Sequence, residues 1–262
     1  MHVALIFPPA LLKKYGETTR YHLVLPHLYP QRRYKDFYRE RSEAGDYIIL
    51  DNGAAEGFKF GLTHLYQVAQ DMGVHEIVVP DTLGDMNDTI AKGLAFTRYT
   101  RGEYRYMAVA QGQSIKEIMQ CIDMYATDAK FAYVTTVGIP RLINIFDPVG
   151  RIKVTEFIIE KGYNRALEFH YLGASAPFSE VKQLAVYAMS EEGLRGIDTS
   201  GPIYMAQKKY LIDEDSYVQR PKNYFKMTTV NSDILEYNIN TYLNWAMYDR
   251  SAPIPTRPQD DH

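Results

Sequence analysis

Six short apolar runs in this sequence, each typical of a β-strand, end on an aspartate, a glutamine or a glycine. These run ends, which lie 25 to 35 residues apart, are Asp51, Asp81, Gln111, Gly138, Gly173 and Asp198. The C-terminal ends of parallel strands meet at one face of an α/β sheet or barrel, where active sites form. We therefore predict that these positions share one face of the molecule.

The residue types at these run ends suit substitution at a sugar carbon. Of two carboxylates that face one anomeric carbon, one can attack it while the other protonates the leaving group and later deprotonates the incoming one. A further carboxylate accepts hydrogen bonds from the ring N–H and amino groups of a purine, and a glutamine amide donates to its carbonyl. The alternative is that each aspartate only caps the helix that follows it, and that Gln111 and Gly112 form only a turn.

The elements that must position these residues alternate along the chain. We predict strands at residues 3–7, 21–25, 47–50, 76–80, 106–110, 131–137, 167–172 and 194–197. We predict helices at 62–72, 86–99, 114–125, 142–161 with a break near Pro148, 178–189 and 232–248. Residues 27–41 are predicted to be a loop with a short helix, and residues 199–231 to be irregular.

This rhythm predicts an α/β fold, a (β/α)8 TIM barrel followed by an irregular C-terminal extension and a final helix. The competitor is a doubly wound open sheet. The count of eight strands and the absence of a Gly-rich dinucleotide motif favour the barrel. We place the catalytic core at residues 1–202, with residues 203–262 packing on the same domain as an extension.

Positive charge is concentrated near the start of the chain. The net charge is −3, yet residues 1–41 hold eight Lys and Arg against three Asp and Glu, mixed with aromatic residues. Cations that neutralise phosphate, mixed with rings that stack on bases, suit nucleic acid; the alternative is a solvated amphipathic segment. The candidate nucleic-acid-binding residues are Lys13, Lys14, Arg32, Arg33, Lys208 and Lys209, with Arg220 and Lys222 in addition.

The remaining composition narrows the chemistry. Cys121 is the single cysteine, which excludes an internal disulfide and a Cys-rich zinc site. Its helical pattern favours burial over a nucleophilic role. The seven histidines show no metal-ligand spacing, and His22, His64, His75 and His170 are predicted to be structural. No apolar run approaches a membrane span and no signal peptide is visible, so no membrane partner is expected and the cytoplasm is the predicted compartment.

Seven segments, in collinear order between residues 19 and 202, resemble motifs of the tRNA-guanine transglycosylase superfamily, most closely the compact phage-type branch that places 7-deazaguanines in DNA. They are Thr19-Arg20-Tyr21-His22-Leu23-Val24-Leu25, Leu50-Asp51-Asn52-Gly53-Ala54, Pro80-Asp81-Thr82, Val109-Ala110-Gln111-Gly112, Thr136-Val137-Gly138-Ile139-Pro140, His170-Tyr171-Leu172-Gly173 and Gly196-Ile197-Asp198-Thr199-Ser200. The resemblance implies that Asp198 is the nucleophile and Asp51 the general acid and base. It also implies a base-binding set of Asn52, Asp81, Gln111, Gly112, Gly138, Ile139, Leu172 and Gly173.

The departures from the family pattern bear on the substrate. The tRNA enzymes carry a zinc subdomain built on three cysteines, which one cysteine cannot form, and the aromatic residue that stacks on the base is replaced by Ala55. In the tRNA enzymes the nucleophile is a second aspartate a few residues after the Gly-Ile-Asp segment, whereas here Asp198 is the only candidate. Loss of the tRNA-anchoring subdomain favours DNA over RNA.

We therefore predict a DNA guanine transglycosylase that inserts a 7-deazaguanine base of the preQ0 type and needs no cofactor. If the chain is phage-encoded, its compartment is the host cytoplasm. A partner protein or a homodimer is compatible with this prediction. The alternatives are an enzyme that acts on tRNA, a non-catalytic partner subunit of such an enzyme, and an unrelated barrel hydrolase that acts on a sugar or nucleoside.

Overall fold

The computed structural model describes residues 1–100, 104–174, 178–215 and 220–247. The last part of the predicted extension, residues 248–262, lies outside the described residues. The described residues contain eight strands, each short and largely buried. They are β1 (His2–Leu5), β2 (Tyr21–Val24), β3 (Tyr47–Leu50), β4 (Glu76–Val78), β5 (Arg105–Val109), β6 (Val134–Pro140), β7 (Glu168–Leu172) and β8 (Leu194–Thr199).

The strands form one parallel sheet in the order β1-β8-β7-β6-β5-β4-β3-β2. The two terminal strands, β1 and β2, contact each other, so the sheet is a nearly closed barrel. The helices that follow the strands surround it. They are α1 (Leu12–Tyr15), α2 (Arg32–Glu43), α3 (Leu62–Met72), α4 (Met86–Thr100), α5 (Ile115–Thr127), α6 (Ile143–Phe146), α7 (Gly150–Lys161), α8 (Ser179–Ser190), α9 (Gly201–Gln207) and α10 (Ser232–Met247). The predicted (β/α)8 TIM barrel is confirmed.

The strand prediction succeeds because each strand is buried and ends at the barrel mouth. All eight strands lie where they were predicted, with ends shifted by a few residues. The break predicted near Pro148 is also present, since α6 ends at Phe146 and α7 begins at Gly150.

Two segments differ from the prediction. The region predicted as a loop with a short helix, 27–41, holds most of the twelve-residue helix α2, which runs on to Glu43 and whose buried side chains are Tyr34 and Tyr38, one turn apart. Because most residues of α2 are charged, these two buried positions do not produce a visible helical period in the sequence. The region 199–231 is not irregular throughout, because α9 begins directly after β8 with Pro202 in its first turn. At seven residues, α9 is too short for a helical period to be visible.

The final helix, α10, packs against α8, α9 and β1 and so holds the described part of the C-terminal region on the barrel. Leu235, Ile239 and Tyr242 are among its buried residues, and Asn238 Nδ2 donates to the backbone oxygen of Pro202 in α9. No helix among the described residues has both the length and the apolar character needed to cross a bilayer.

Candidate active site

A cavity of about 550 Å³ opens at the C-terminal ends of the barrel strands. Its lining includes seven residues from the predicted site, contributed by the ends of β3, β4, β5, β7 and β8. They are Asp51, Asn52, Asp81, Gln111, Leu172, Gly173 and Asp198. Its volume falls in the range of cavities that hold small ligands. The structure therefore brings the three predicted aspartates to one cavity.

Asp198 is held on β8 with its carboxylate in a defined orientation. Its main chain pairs with Ala4 of β1, and only 5% of the residue is exposed. The backbone N–H of Gly173 donates to Asp198 Oδ1 at 3.0 Å, and His170 Nε2 lies 3.3 Å from the same oxygen. Gly173 has a φ of 72°, a conformation that favours glycine, and this turn presents its N–H to the carboxylate.

Asp51 follows β3 and has an environment that favours its neutral form. Burial raises the pKa of Asp51 well above its usual value, and the nearby Glu56 carboxylate adds to the rise, followed by Asp81 and Asp198. A hydrogen bond from the Gly53 N–H to Asp51 Oδ2, at 3.0 Å, acts in the opposite direction. A carboxyl group in such a place can hold a proton and deliver it to a leaving group.

Asp81 and Gln111 form a fixed hydrogen-bonding pair on the cavity wall. Gln111 Nε2 donates to Asp81 Oδ2 at 2.5 Å, and Asn52 Nδ2 donates to Asp81 Oδ1 at 2.8 Å. Gln111 Oε1 accepts the Gly84 N–H at 3.1 Å, which fixes the amide orientation. Burial raises the pKa of Asp81, while the bonds from Gln111 and Asn52 lower it.

Several cavity residues were not predicted from the sequence. Glu56, Arg141 and Tyr204 line the cavity, as does Arg220, which was assigned only to general strand binding. Glu56 Oε1 lies 3.2 Å from an Arg220 guanidinium nitrogen, so the loop after β3 is joined to the C-terminal region. Arg141 directly follows β6, and its position at a strand end is a pattern that could have identified it.

A row of stacked rings lies beside the loop that carries Asp51. His27 stacks on Phe58 with ring centres 4.6 Å apart, Phe58 stacks on Phe60 at 5.8 Å, and Phe60 stacks on His64 at 5.0 Å. Phe225 meets the edge of His27 at 5.3 Å. Phe58 is nonetheless 44% exposed, which leaves an aromatic edge at the surface near the cavity.

Three residues of the predicted base-binding set do not line the cavity. Gly138 and Ile139 are buried within β6, and the adjacent Pro140 and Arg141 reach the cavity instead. A Cβ on Gly138 would lie 2.7 Å from Leu172 Cδ1, so this glycine serves the packing of the wall. Gly112 is also buried, just before α5, and does not line the cavity.

Apart from Arg220, the predicted nucleic-acid-binding lysines and arginines lie outside the cavity. All seven of these are exposed: Lys13, Lys14, Arg32, Arg33, Lys208, Lys209 and Lys222. Lys14 Nζ donates to Ser232 Oγ at 3.0 Å, so it is tied to the start of α10. Cys121 is fully buried, and burial raises the pKa of its thiol to about 11, which agrees with the predicted inert role.

The described residues contain no group of three or more His, Cys, Asp or Glu side chains placed to hold a metal ion. The three aspartates of the cavity thus differ in arrangement from a metal cluster.

Comparison with known proteins yields distant structural similarity alone. No family model matches the chain, and no curated protein matches it. The structure is similar to catalytic-site mutants of active domain 2 of chitinase from Pyrococcus furiosus, with a TM-score of 0.49, 13% identity, and 77% of this chain and 84% of that chain covered. It is also similar to the catalytic domain of hyperthermophilic chitinase from Pyrococcus furiosus, with a TM-score of 0.46, 12% identity, and 76% and 83% covered. Similarity at this level assigns neither a family nor a substrate to this chain.

Proposed function

We propose that this protein is a nucleic-acid guanine transglycosylase that replaces guanine in DNA with a 7-deazaguanine base of the preQ0 type. The observation that carries the proposal is the contrast between two carboxylates of one cavity. The pKa of Asp51 is raised by burial and by Glu56, whereas Asp198 has both the Gly173 N–H and the His170 imidazole at one carboxylate oxygen. A carboxyl group that favours its neutral form suits the acid, and a carboxylate held in place by hydrogen bonds suits the nucleophile.

The first half of the reaction breaks the bond between guanine and its deoxyribose. Asp198 attacks C1′ through one carboxylate oxygen, and the bond from C1′ to the guanine nitrogen breaks as the new ester bond forms. Asp51 gives its proton to the departing guanine, so no strong base leaves. The sugar remains in the strand, joined covalently to Asp198.

The second half restores a glycosidic bond. The incoming 7-deazaguanine loses its ring proton to Asp51, its nitrogen attacks C1′, and the bond from C1′ to Asp198 breaks. Asp51 is then protonated and Asp198 ionised, as at the start. One glycosidic bond replaces another, so the exchange is balanced without an energy source.

Recognition of the purine falls to the fixed pair on the cavity wall. The Asp81 carboxylate, held by Asn52 and Gln111, accepts from the ring N–H and amino group of guanine, and the Gln111 amide donates to the carbonyl. Because Asn52 and Gln111 already orient the carboxylate in the free protein, little ordering remains to be done on binding.

A base in a duplex can reach this cavity after it leaves the stack, at a cost of a few kcal/mol. Arg141 and Arg220 on the cavity lining supply positive charge for the flanking phosphates, and the exposed edge of Phe58 adds an aromatic surface nearby. These features support a polymer as substrate rather than a free nucleoside. The single cysteine of this chain cannot form the zinc subdomain of the tRNA enzymes, which supports DNA rather than tRNA as the polymer.

The deciding experiment offers labelled guanine to purified protein with duplex DNA and with bulk tRNA, in parallel and without an energy source. Label in DNA alone is the expected result, and label in tRNA alone would overturn the choice of substrate while keeping the chemistry. Release of free base without uptake of label would replace the proposal with a hydrolase. Nucleic acid that binds without label or release would indicate a non-catalytic partner subunit.

Two variants and one control assign the roles. Asp198→Asn should abolish both label uptake and a covalent adduct detected by mass after denaturing quench, and Asp51→Asn should block turnover. Asp36→Asn removes an equal charge from an exposed part of α2 and should leave exchange unchanged. An adduct of full yield in Asp198→Asn, or normal turnover in Asp51→Asn, would contradict the corresponding role.

A further inference from the structure

A line of buried polar side chains connects Asp198 with the opposite end of the barrel. His170 Nε2 lies 3.3 Å from Asp198 Oδ1, and His170 Nδ1 lies 2.9 Å from the hydroxyl oxygen of Tyr21. Arg195 Nε donates to that same hydroxyl oxygen at 3.0 Å. His170 is fully buried on β7 and Tyr21 is 5% exposed on β2, so the line crosses the interior of the barrel.

The hydrogen bonds along this line run in one direction, because Arg195 at one end can only donate and the Asp198 carboxylate at the other can only accept. The Tyr21 oxygen accepts from Arg195, and His170 Nδ1 is the acceptor that the described residues place at the Tyr21 hydrogen. Burial raises the pKa of Tyr21, which keeps that hydrogen on the phenol. With Nδ1 accepting, the hydrogen of a neutral imidazole stands on Nε2 and faces Asp198 Oδ1.

Arg195 is itself held in place by two carboxylates. Its guanidinium forms ion pairs with Glu76 and, at 2.7 Å, with Glu168. Its planar group also lies over the rings of Tyr21 and Tyr47, with centres 5.7 and 5.3 Å away. A rigid donor at this end makes the tautomer of His170 a property of the fold rather than of the substrate.

The two carboxylate oxygens of Asp198 differ in their hydrogen bonds. Both hydrogen bonds that the described residues make to this carboxylate go to Oδ1, from Gly173 N–H and from His170 Nε2. Oδ2 is therefore the oxygen that remains for a substrate in the cavity. A carboxylate fixed through one oxygen presents the other at a constant position and angle.

We propose that His170 is a positioning residue for Asp198: the Tyr21 hydroxyl at Nδ1 and the Asp198 carboxylate at Nε2 together hold its imidazole in the Nε2–H form, and the resulting hydrogen bond to Oδ1 directs Oδ2 toward the sugar carbon. The catalytic half of this statement rests on the proposed function, because it treats Asp198 as the nucleophile. The tautomer itself does not depend on it. A histidine that only fills the core would have no preferred tautomer linked to Tyr21.

The tautomer is tested by nitrogen NMR on the full chain labelled with 15N-histidine, with His170 assigned by loss of its signals in His170→Met. The expected pattern has Nε2 protonated and Nδ1 unprotonated, and the Nδ1 shift should move in Tyr21→Phe, because that variant removes the hydrogen bond from the phenol to Nδ1. Tyr21→Phe keeps the ring that packs against Gly196 and His170, so it preserves the core. A protonated Nδ1 in the wild-type protein, or an unchanged Nδ1 shift in Tyr21→Phe, would overturn the proposal.

The positioning role is tested by single-turnover formation of the covalent adduct. His170→Met, which removes the donor at similar size, should lower the adduct rate about 10- to 100-fold, the loss expected for one hydrogen bond to a charged group. His170→Gln keeps an N–H donor and should recover part of that rate, and KM for the incoming base should change little in both variants. Equal rates in His170→Met and wild type would overturn the positioning role.

The two proposals fail in different ways. If wild-type protein exchanges no base, the proposed function fails, and the NMR pattern still decides whether His170 has the Nε2–H form with Tyr21 donating to Nδ1. If exchange proceeds and Asp198→Asn abolishes it while His170→Met does not slow the adduct, the function stands and the positioning role is wrong.

Discussion

The ion pair between Arg195 and Glu76 lies inside the barrel, at the N-terminal ends of its strands, and we expect its loss to cost more stability than the loss of an exposed ion pair at the same end. The Arg195 side chain is 10% exposed, and that of Glu76 is fully buried. Arg195→Met keeps most of the aliphatic stem but leaves the Glu76 carboxylate buried without its cation. Removing one partner of a buried pair costs about 3–5 kcal/mol, because an uncompensated charge remains.

The structure supplies a matched control in Arg105. Arg105 also pairs with Glu168, but the two side chains are 42% and 38% exposed. Pairs exposed to this extent contribute about 0–1 kcal/mol, since water screens the charges and solvates either one alone. Arg105→Met should therefore lower the free energy of unfolding several-fold less than Arg195→Met, although both remove an arginine from the same end of the barrel.

A double variant shows whether the loss of stability in Arg195→Met comes from the unpaired charge or from lost packing. Glu76→Gln in the Arg195→Met background removes the stranded charge, so the double variant should be more stable than Arg195→Met alone. The non-additivity of the two substitutions measures their interaction. If the loss in Arg195→Met came from packing, the second substitution would bring no recovery.

The measurement is urea denaturation of the three variants and the wild type, with the free energy of unfolding extrapolated to water. Thermal melts should show a fall of about 6–20 °C for Arg195→Met, at roughly 2–4 °C for each kcal/mol in a chain of this size. A loss under about 1 kcal/mol, or one equal to that of Arg105→Met, would refute the reasoning that burial sets the cost.

Three further predictions concern the cavity. Asp51→Asn should raise the free energy of unfolding by about 1 kcal/mol near pH 8, because a carboxyl whose pKa is raised on folding loses its stabilising contribution as the pH rises through that raised pKa. Thermal melts near pH 4 should show no gain in stability, and a gain at that pH would contradict a raised pKa for Asp51. Glu56→Gln removes a charge that raises the pKa of Asp51, so the alkaline limb of the exchange rate should move to lower pH, and an unmoved limb would exclude the coupling. Arg220→Gln should weaken DNA binding and reduce the salt slope by about one unit, whereas Lys130→Gln, before β6 at the other end of the barrel, should change neither.

The sequence was sufficient to predict the barrel and most of the residues at its mouth. Each strand is a short apolar run because both its faces are buried, and each ends on a polar or small residue because the mouth is solvated. Asp51, Asp81, Gln111 and Asp198 were identified by that contrast alone, and the structure brings them to one cavity. Such contrasts are local, and a local pattern is what a single sequence displays.

Contacts between residues far apart in the sequence could not be predicted from it. His170 lies inside an apolar run, where a lone histidine resembles any other core residue, and its partner Tyr21 is 149 positions away. Arg220 belongs to a polar segment without periodicity and reaches the cavity through its pairing with Glu56, 164 positions earlier. Contacts of this kind depend on how the barrel closes, which no spacing in the sequence encodes.

The pairing of carboxylates with arginines differs between the two ends of the barrel. Glu76 and Glu168, at the N-terminal end, are neutralised by Arg195 and Arg105. At the mouth, no lysine or arginine among the described residues forms an ion pair with Asp51, Asp81 or Asp198, although the three carboxylates face the same cavity. A fold selected for stability alone would pair or replace such groups, because burial without a cation is unfavourable. The lack of a lysine or arginine partner for these three carboxylates is the arrangement that the proposed exchange needs, because that reaction moves protons and passes through a positively charged sugar carbon.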